Sequence, residues 1–295
     1  MEYLVHLGIV LCIYMVLSTS LNLVAGYSGL LSVAHAAFYG VGAYVVALMA
    51  IHWHSPFWLA IVAATAVTGL LGGVVGGSTL RLRGDYFVIT TFALQVVVFS
   101  VLNNWVALTG GPMGLPGIPP PVVFGWTVSS QWGLLLLTGL CCLLTLFICR
   151  RIVQSPLGRV LKAIREDEVL AQANGKNVAA HKTLVFVLGA SMASTAGAMY
   201  AYYVTFIDPT SFTVMESILI ISIVIVGGAG SLWGPVVGAV VLVTLPELLR
   251  FIGLPSAVAA NTRQILYGGA LVAFMMWRPQ GLLGKYAFEK KSADT

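Results

Sequence analysis

Nine apolar runs, at about 4–25, 30–51, 57–78, 86–106, 132–149, 183–206, 216–228, 234–250 and 263–278, occupy most of this 295-residue chain. Runs of that length leave few folds open. Backbone polar groups in hydrocarbon must be satisfied within the structure itself, and a helix of about 20 apolar residues crosses the bilayer core. The expectation is an all-α, polytopic transmembrane helical bundle of eight or nine spans, forming one domain over residues 1–295. Charged residues make up 8% of the chain, whereas soluble domains carry roughly a quarter. The first run lacks a basic leader and a small-residue cleavage signal, so it reads as a retained span.

One stretch breaks the pattern. Residues 150–182, RRIVQSPLGRVLKAIREDEVLAQANGKNVAAHK, hold 10 of the 25 charged residues and must stand in water. Ser155 before Pro156 reads as an N-cap with proline in the first turn. Leu157, Val160, Leu161 and Ile164 follow at helical spacing, and Asn174-Gly175 reads as a helix stop. One or two short amphipathic helices beside the membrane are expected. They serve either as a solvated face or as a docking surface for a soluble partner.

Charge also orients the chain. Thirteen of its 15 basic residues, in the 81–83 loop, the 150–182 loop and the tail, can be placed on one side. The positive-inside rule makes that side cytoplasmic, with the C-terminus and a 285–295 tail inside. Basic residues confined to such short loops set topology and give no sign of nucleic-acid binding. The uncharged 103–131 loop, rich in proline and glycine, belongs outside as a connector or a landing surface.

Within the spans, 216–250 is interrupted by Gly227, Gly228, Gly230, Gly234 and Pro235, which excludes one straight helix and predicts two short ones joined by a turn. Small residues recur every fourth position at Gly69, Gly73 and Gly77 and at Gly189, Ala193, Gly197 and Ala201, the spacing by which membrane helices approach closely. Ser28, Ser32, His35 and Tyr39 fall at i, i+4, i+7 and i+11, one polar stripe of one helix. Such a stripe faces the bundle interior or water, so these residues, with Phe38 and Gln95, are candidates for a pathway lining. Asn22 is a weaker candidate. Each polar group has a plainer reading as an internally bonded side chain. Asp85 reads as an interfacial cap; Asp208 and Glu216 flank an external turn and, with Glu247, Arg250 and Arg263 near outer helix ends, read as internal ion pairs or as part of a contact with an outside partner.

No nucleophile with its base, metal-ligand cluster or phosphate loop is present, and Cys12, Cys141, Cys142 and Cys149 read as packing residues rather than a disulfide framework. No catalytic residue and no metal site are assigned. Uphill transport by this chain would need an engine elsewhere.

Four segments, GYSGLLSVAHAAFYGVGAY, LRLRGDYFVITTFAL, SPLGRVLKAIREDEVLAQANGKNVAAHK and GGAGSLWGPVVGAVV, occur in an order and spacing that resemble the permeases of ATP-binding-cassette importers of branched-chain amino acids. The chain is similar to the second, LRLRG-containing permease of the pair. The resemblance implies a sister permease, two cytoplasmic ATP-binding subunits that hold the ATP and Mg, an external substrate-binding protein, and a lipid-embedded place in the bacterial inner membrane. It also implies that Arg165, Glu166, Asp167, Glu168, Ala171, Ala173 and Gly175 form a coupling helix against an ATPase. Related importers of urea, short amides or other small acids share these motifs. An ion-coupled secondary transporter and a passive channel are the readings from other classes.

Overall fold

A computed structural model of the protein describes residues 2–79, 85–123, 125–250, 268, 269, 272, 276 and 280–284. Helix α1 (Glu2–Leu21) runs directly into a π turn, Asn22–Gly26, and a non-helical stretch leads to α2 (His35–Trp53). Then come α3 (Phe57–Thr79), α4 (Asp85–Asn104), α5 (Val106–Thr109) and α6 (Gln131–Gln154). The charged stretch forms α7 (Pro156–Glu166) and α8 (Glu168–Ala173) before α9 (Val178–Val204) returns through the bundle. Helices α10 (Val214–Gly227) and α11 (Gly234–Arg250) complete the described helical elements.

Six helices among the described residues are long and apolar enough to cross a membrane: α1 with its π turn, α2, α3, α4, α6 and α9. Among the described residues, six of the expected eight or nine spans are present as spanning helices. Runs 216–228 and 234–250 became the two shorter helices α10 and α11, and most of run 263–278 lies outside the described residues, as does the 285–295 tail. With 14 residues, α10 rises about 21 Å, short of the roughly 30 Å hydrocarbon core.

The all-α expectation also needs a small correction. Strand β1 (Leu115–Pro116) pairs antiparallel with β4 (Phe206–Ile207), and β2 (Val122–Val123) with β3 (Trp126–Thr127). These short ladders lie in and after the uncharged loop. With Ile118 buried and its N–H donating to the Thr205 carbonyl at 3.1 Å, they fasten the 103–131 loop onto the C-terminal end of α9. That supports its connector role.

Helix α9 is the central post, packed against α2, α3 and α1. Close approach explains its small residues. A Cβ on Gly197 would lie 2.2 Å from the Tyr39 carbonyl oxygen, and one on Gly42 would lie 2.5 Å from the Ser194 Cα. Gly189 meets the Val24 side chain of the π turn, and Gly69 meets the Ser191 hydroxyl. Ala193 and Ala201 are fully buried. Gly77 departs from the pattern, because a Cβ there meets nothing within 4 Å. The α3 zipper thus ends before the helix does.

Candidate functional site

The charged stretch folds into the α7–α8 pair. Pro156 opens α7 as expected, but the Ser155 hydroxyl makes no cap bond and donates back to the Ile152 carbonyl at 2.7 Å. The cap that forms is at α8, where the Asp167 carboxylate accepts from the Val169 and Leu170 amides at 2.9 and 3.0 Å. Gly175 stops the segment with φ +74°, a left-handed conformation that favours glycine. Ile164, Ala171 and Val178 form a small apolar core joining α7, α8 and the start of α9. Lys182 on α9, nearly buried, donates to Glu168 at 2.7 Å and ties α8 to the spans.

These contacts sort the proposed coupling residues. Asp167, Glu168 and Ala171 shape the pair from within, while Glu166, Ala173 and Gly175 remain exposed. Val169 and Leu170, two apolar side chains that the sequence pattern did not single out, are more than 60% exposed on α8. Between α7 and α8 lies a groove of about 420 Å³ that reaches from Arg159 and Ala163 to Leu170 and Asn174. The exposure of Val169 and Leu170 is hidden from a reading of the sequence: they directly follow the acidic run 166–168 and show only once the helix is built.

Arg165 turns inward from α7. Its guanidinium donates to the Gly26 carbonyl at the end of the π turn, and a Cβ on Gly29 would lie 3.2 Å from its Cγ. A cavity of about 360 Å³ opens here, bounded by Ser28, Gly29, Phe87, Ile164, Arg165 and Lys182 among others. At the other end of the π turn, the buried Asn22 carboxamide clasps the α10–α11 turn. Its Nδ2 donates to the Ser231 carbonyl at 2.8 Å, and its Oδ1 accepts from the Gly230 amide at 2.9 Å.

The broken-helix turn itself follows the expectation. Gly228 and Gly230 take φ of +110° and +77°, and Gly234 and Pro235 begin α11. The Leu282 and Leu283 amides donate to the Val226 and Gly227 carbonyls at 2.9 Å each, satisfying the end of α10 from a distant segment.

The single polar stripe does not exist. Ser28 ends the first helical segment, Ser32 lies in the irregular stretch, and His35 and Tyr39 belong to α2. Glycine permissiveness at Gly29, with φ +74°, breaks the helix between them. The Ser28 hydroxyl donates to the Val24 carbonyl at 2.6 Å, and the Ser32 oxygen accepts from the Ala34 amide at 3.3 Å. The Ser20 hydroxyl lies 2.8 Å from the Leu17 carbonyl and 2.7 Å from the His35 Nε2, which joins the end of α1 to the start of α2. Phe38 stacks edge-on against Phe186, and Tyr39 packs against Phe212 and Tyr200.

Gln95 is fully buried and knits three elements. Its Nε2 donates to the Phe212 carbonyl at 2.8 Å, and its Oε1 accepts from Ser217 at 3.3 Å. The Ser217 oxygen in turn accepts from the Ala36 amide at 3.0 Å, capping the start of α2 from α10. Gln95→Ala is expected to lower stability by about 1–2 kcal/mol through these unsatisfied partners. Thermal unfolding in detergent checks this, and in a double-mutant cycle Ser217→Ala should add less to Gln95→Ala than it costs alone.

Asp208 accepts from Ser211 at 2.6 Å and from Thr210. The four cysteines are free thiols.

The family described as "Branched-chain amino acid transport system / permease component" matches residues 3–275. The chain is 36% identical to the high-affinity branched-chain amino acid transport system permease protein LivM of Salmonella typhimurium, over 92% of this chain and 68% of that protein. It is 35% identical to LivM of Escherichia coli over the same shares. To the permease protein LivH of Salmonella typhimurium the identity is 23%, over 94% of this chain and 93% of LivH. No solved structure matches the chain. A match across nearly the whole bundle, including both the charged helix pair and the broken helix, means that the chain belongs to the branched-chain amino acid transport permease family.

Proposed function

We propose that this chain is the transmembrane permease subunit of an ATP-driven importer of branched-chain amino acids, building the pathway together with a sister permease. Two cytoplasmic ATPases, which bind the ATP and Mg, dock at the α7–α8 pair, and an external binding protein delivers the cargo. The chain itself is no enzyme. The end carrying α7, α8, the Asn22 clasp and the α10–α11 turn faces the cytoplasm of a bacterial inner membrane, and the 103–131 loop faces outward.

The observation that carries this reading is the exposure of Val169 and Leu170 on a capped helix that is braced to α9 by the Lys182–Glu168 pair. Exposed apolar side chains on a firmly held, water-facing helix are what a protein partner can bury. Likeness to LivM supports the cargo class. In this reading ATP-driven approach of the ATPases moves the α7–α8 pairs together, and the packed bundle converts that movement into alternating access. Ser28, at the cavity beside α7, keeps its pathway role. Ser32, His35, Phe38, Tyr39 and Gln95 hold the helices that flank the pathway.

Reconstitution tests this directly. In proteoliposomes, the chain with sister permease, ATPases and binding protein should accumulate leucine only when ATP is supplied. The chain alone should take up none, with or without an imposed ion gradient. Gradient-driven uptake by the chain alone would overturn the importer reading in favour of a secondary transporter.

A further inference from the structure

Three contacts converge on the five residues of the π turn at the end of α1. Arg165 of α7 donates to the Gly26 carbonyl, while Asn22 holds the α10–α11 turn by both its donor and its acceptor. A Cβ on Gly26 would also stand 2.6 Å from the Gly230 amide nitrogen, so the π turn and the broken-helix turn touch directly. The Asn22 carboxamide, at 1% exposure, clasps a backbone turn more than 200 residues away.

We infer that the Asn22–Gly26 π turn is the joint through which α7 moves the α10–α11 turn, with Arg165 and Asn22 as positioning residues for transport. The inference rests on the coupling role of α7–α8 proposed above and adds where the movement goes next. A π turn carries one residue more than the α-helical path needs, so it has a neighbouring state in which the hydrogen-bond register slips back to i→i+4. Gly26 lacks the side chain that would block such a slip. Displacement of Arg165 pulls on the carbonyl at one end of the turn. Asn22 at the other end rotates with it and carries Gly230 and Ser231 along. On this inference the turn has two registers, and the contacts from both α7 and the broken helix bias it, which is the physical requirement for coupling.

The test uses the complete transporter in proteoliposomes. Asn22→Ala should leave the ATPases bound and hydrolysing while leucine taken up per ATP falls about ten-fold, and Arg165→Ala should lower that ratio by as much. Arg165→Lys, which keeps a donor for Gly26, should recover most of the loss. The Asn22→Ala/Arg165→Ala double variant should be no worse than either single, because both interrupt one path. Hydrogen exchange on the unmodified complex gives a readout that does not depend on any variant folding. Trapping with ATP and vanadate should change protection at 22–26 and at 228–233 together.

Unchanged exchange at 22–26 on trapping, or multiplicative losses in the double variant, overturns the joint. ATPases that do not associate with the unmodified chain overturn the coupling role instead, so the two failures are distinguishable.

Discussion

Gly197→Leu is expected to abolish the folded protein, shown as loss of the monodisperse peak in size-exclusion chromatography and of a cooperative melt. The added Cβ alone would sit 2.2 Å from the Tyr39 carbonyl oxygen and 2.7 Å from the Ala43 amide nitrogen, both backbone atoms of α2. Backbone in a packed helix cannot turn aside as a side chain can, so α2 and α9 must separate along their contact. The cost is expected to exceed about 3 kcal/mol, beyond the ordinary range for a single substitution. Gly77→Leu is the internal control. Its Cβ meets nothing within 4 Å, so the melt should move by no more than about 0.5 kcal/mol. Equal effects at the two positions would mean that helix propensity, and not the α2–α9 approach, governs these glycines.

Val169→Asp with Leu170→Asp should release the ATPases while leaving the membrane bundle intact. Burying two such side chains in a partner is worth about 1.5–3 kcal/mol each, and a carboxylate in a closed apolar contact costs more again, so affinity should fall by at least about 100-fold. The measurement is recovery of ATPase with the tagged permease, paired with a thermal melt of the permease alone. The melt should hold, because the Asp167 cap, the Ile164–Ala171–Val178 core and the Lys182–Glu168 pair are all left in place. Undiminished recovery of ATPase would place its contact elsewhere on the chain. Glu168→Lys is the poorer probe of docking: it sets two ammonium groups together where an ion pair now braces α8, and thereby disturbs the helix pair itself.

Much of this architecture is legible before any coordinates. Ser155-Pro156 marks where α7 begins and Gly175 where the helix pair stops, since both report local backbone preference. The glycines of 227–234 announce the broken helix for the same reason. The stripe of Ser28, Ser32, His35 and Tyr39 fails because helical spacing was read across Gly29, whose left-handed conformation ends the register. The short ladder of Leu115 with Ile207 is invisible in sequence, for two residues of strand carry no periodic signal and their partners are about 90 positions apart. Asn22 was noticed as a polar group in an apolar run, yet nothing nearby in sequence names Gly230 or Ser231 as its partners.

Composition and apolar run length alone settled that the chain is a helical membrane protein, and four local motifs carried the family. Those properties follow from solvation and backbone preference, which act over a turn or two of chain. Tertiary structure decided which glycines are indispensable, which charges in the acidic cluster brace the helix pair, and that the end of α1 links α7 to the α10–α11 turn. Each of those is a contact between residues far apart in sequence, set by the packing of helices whose faces no local pattern orients.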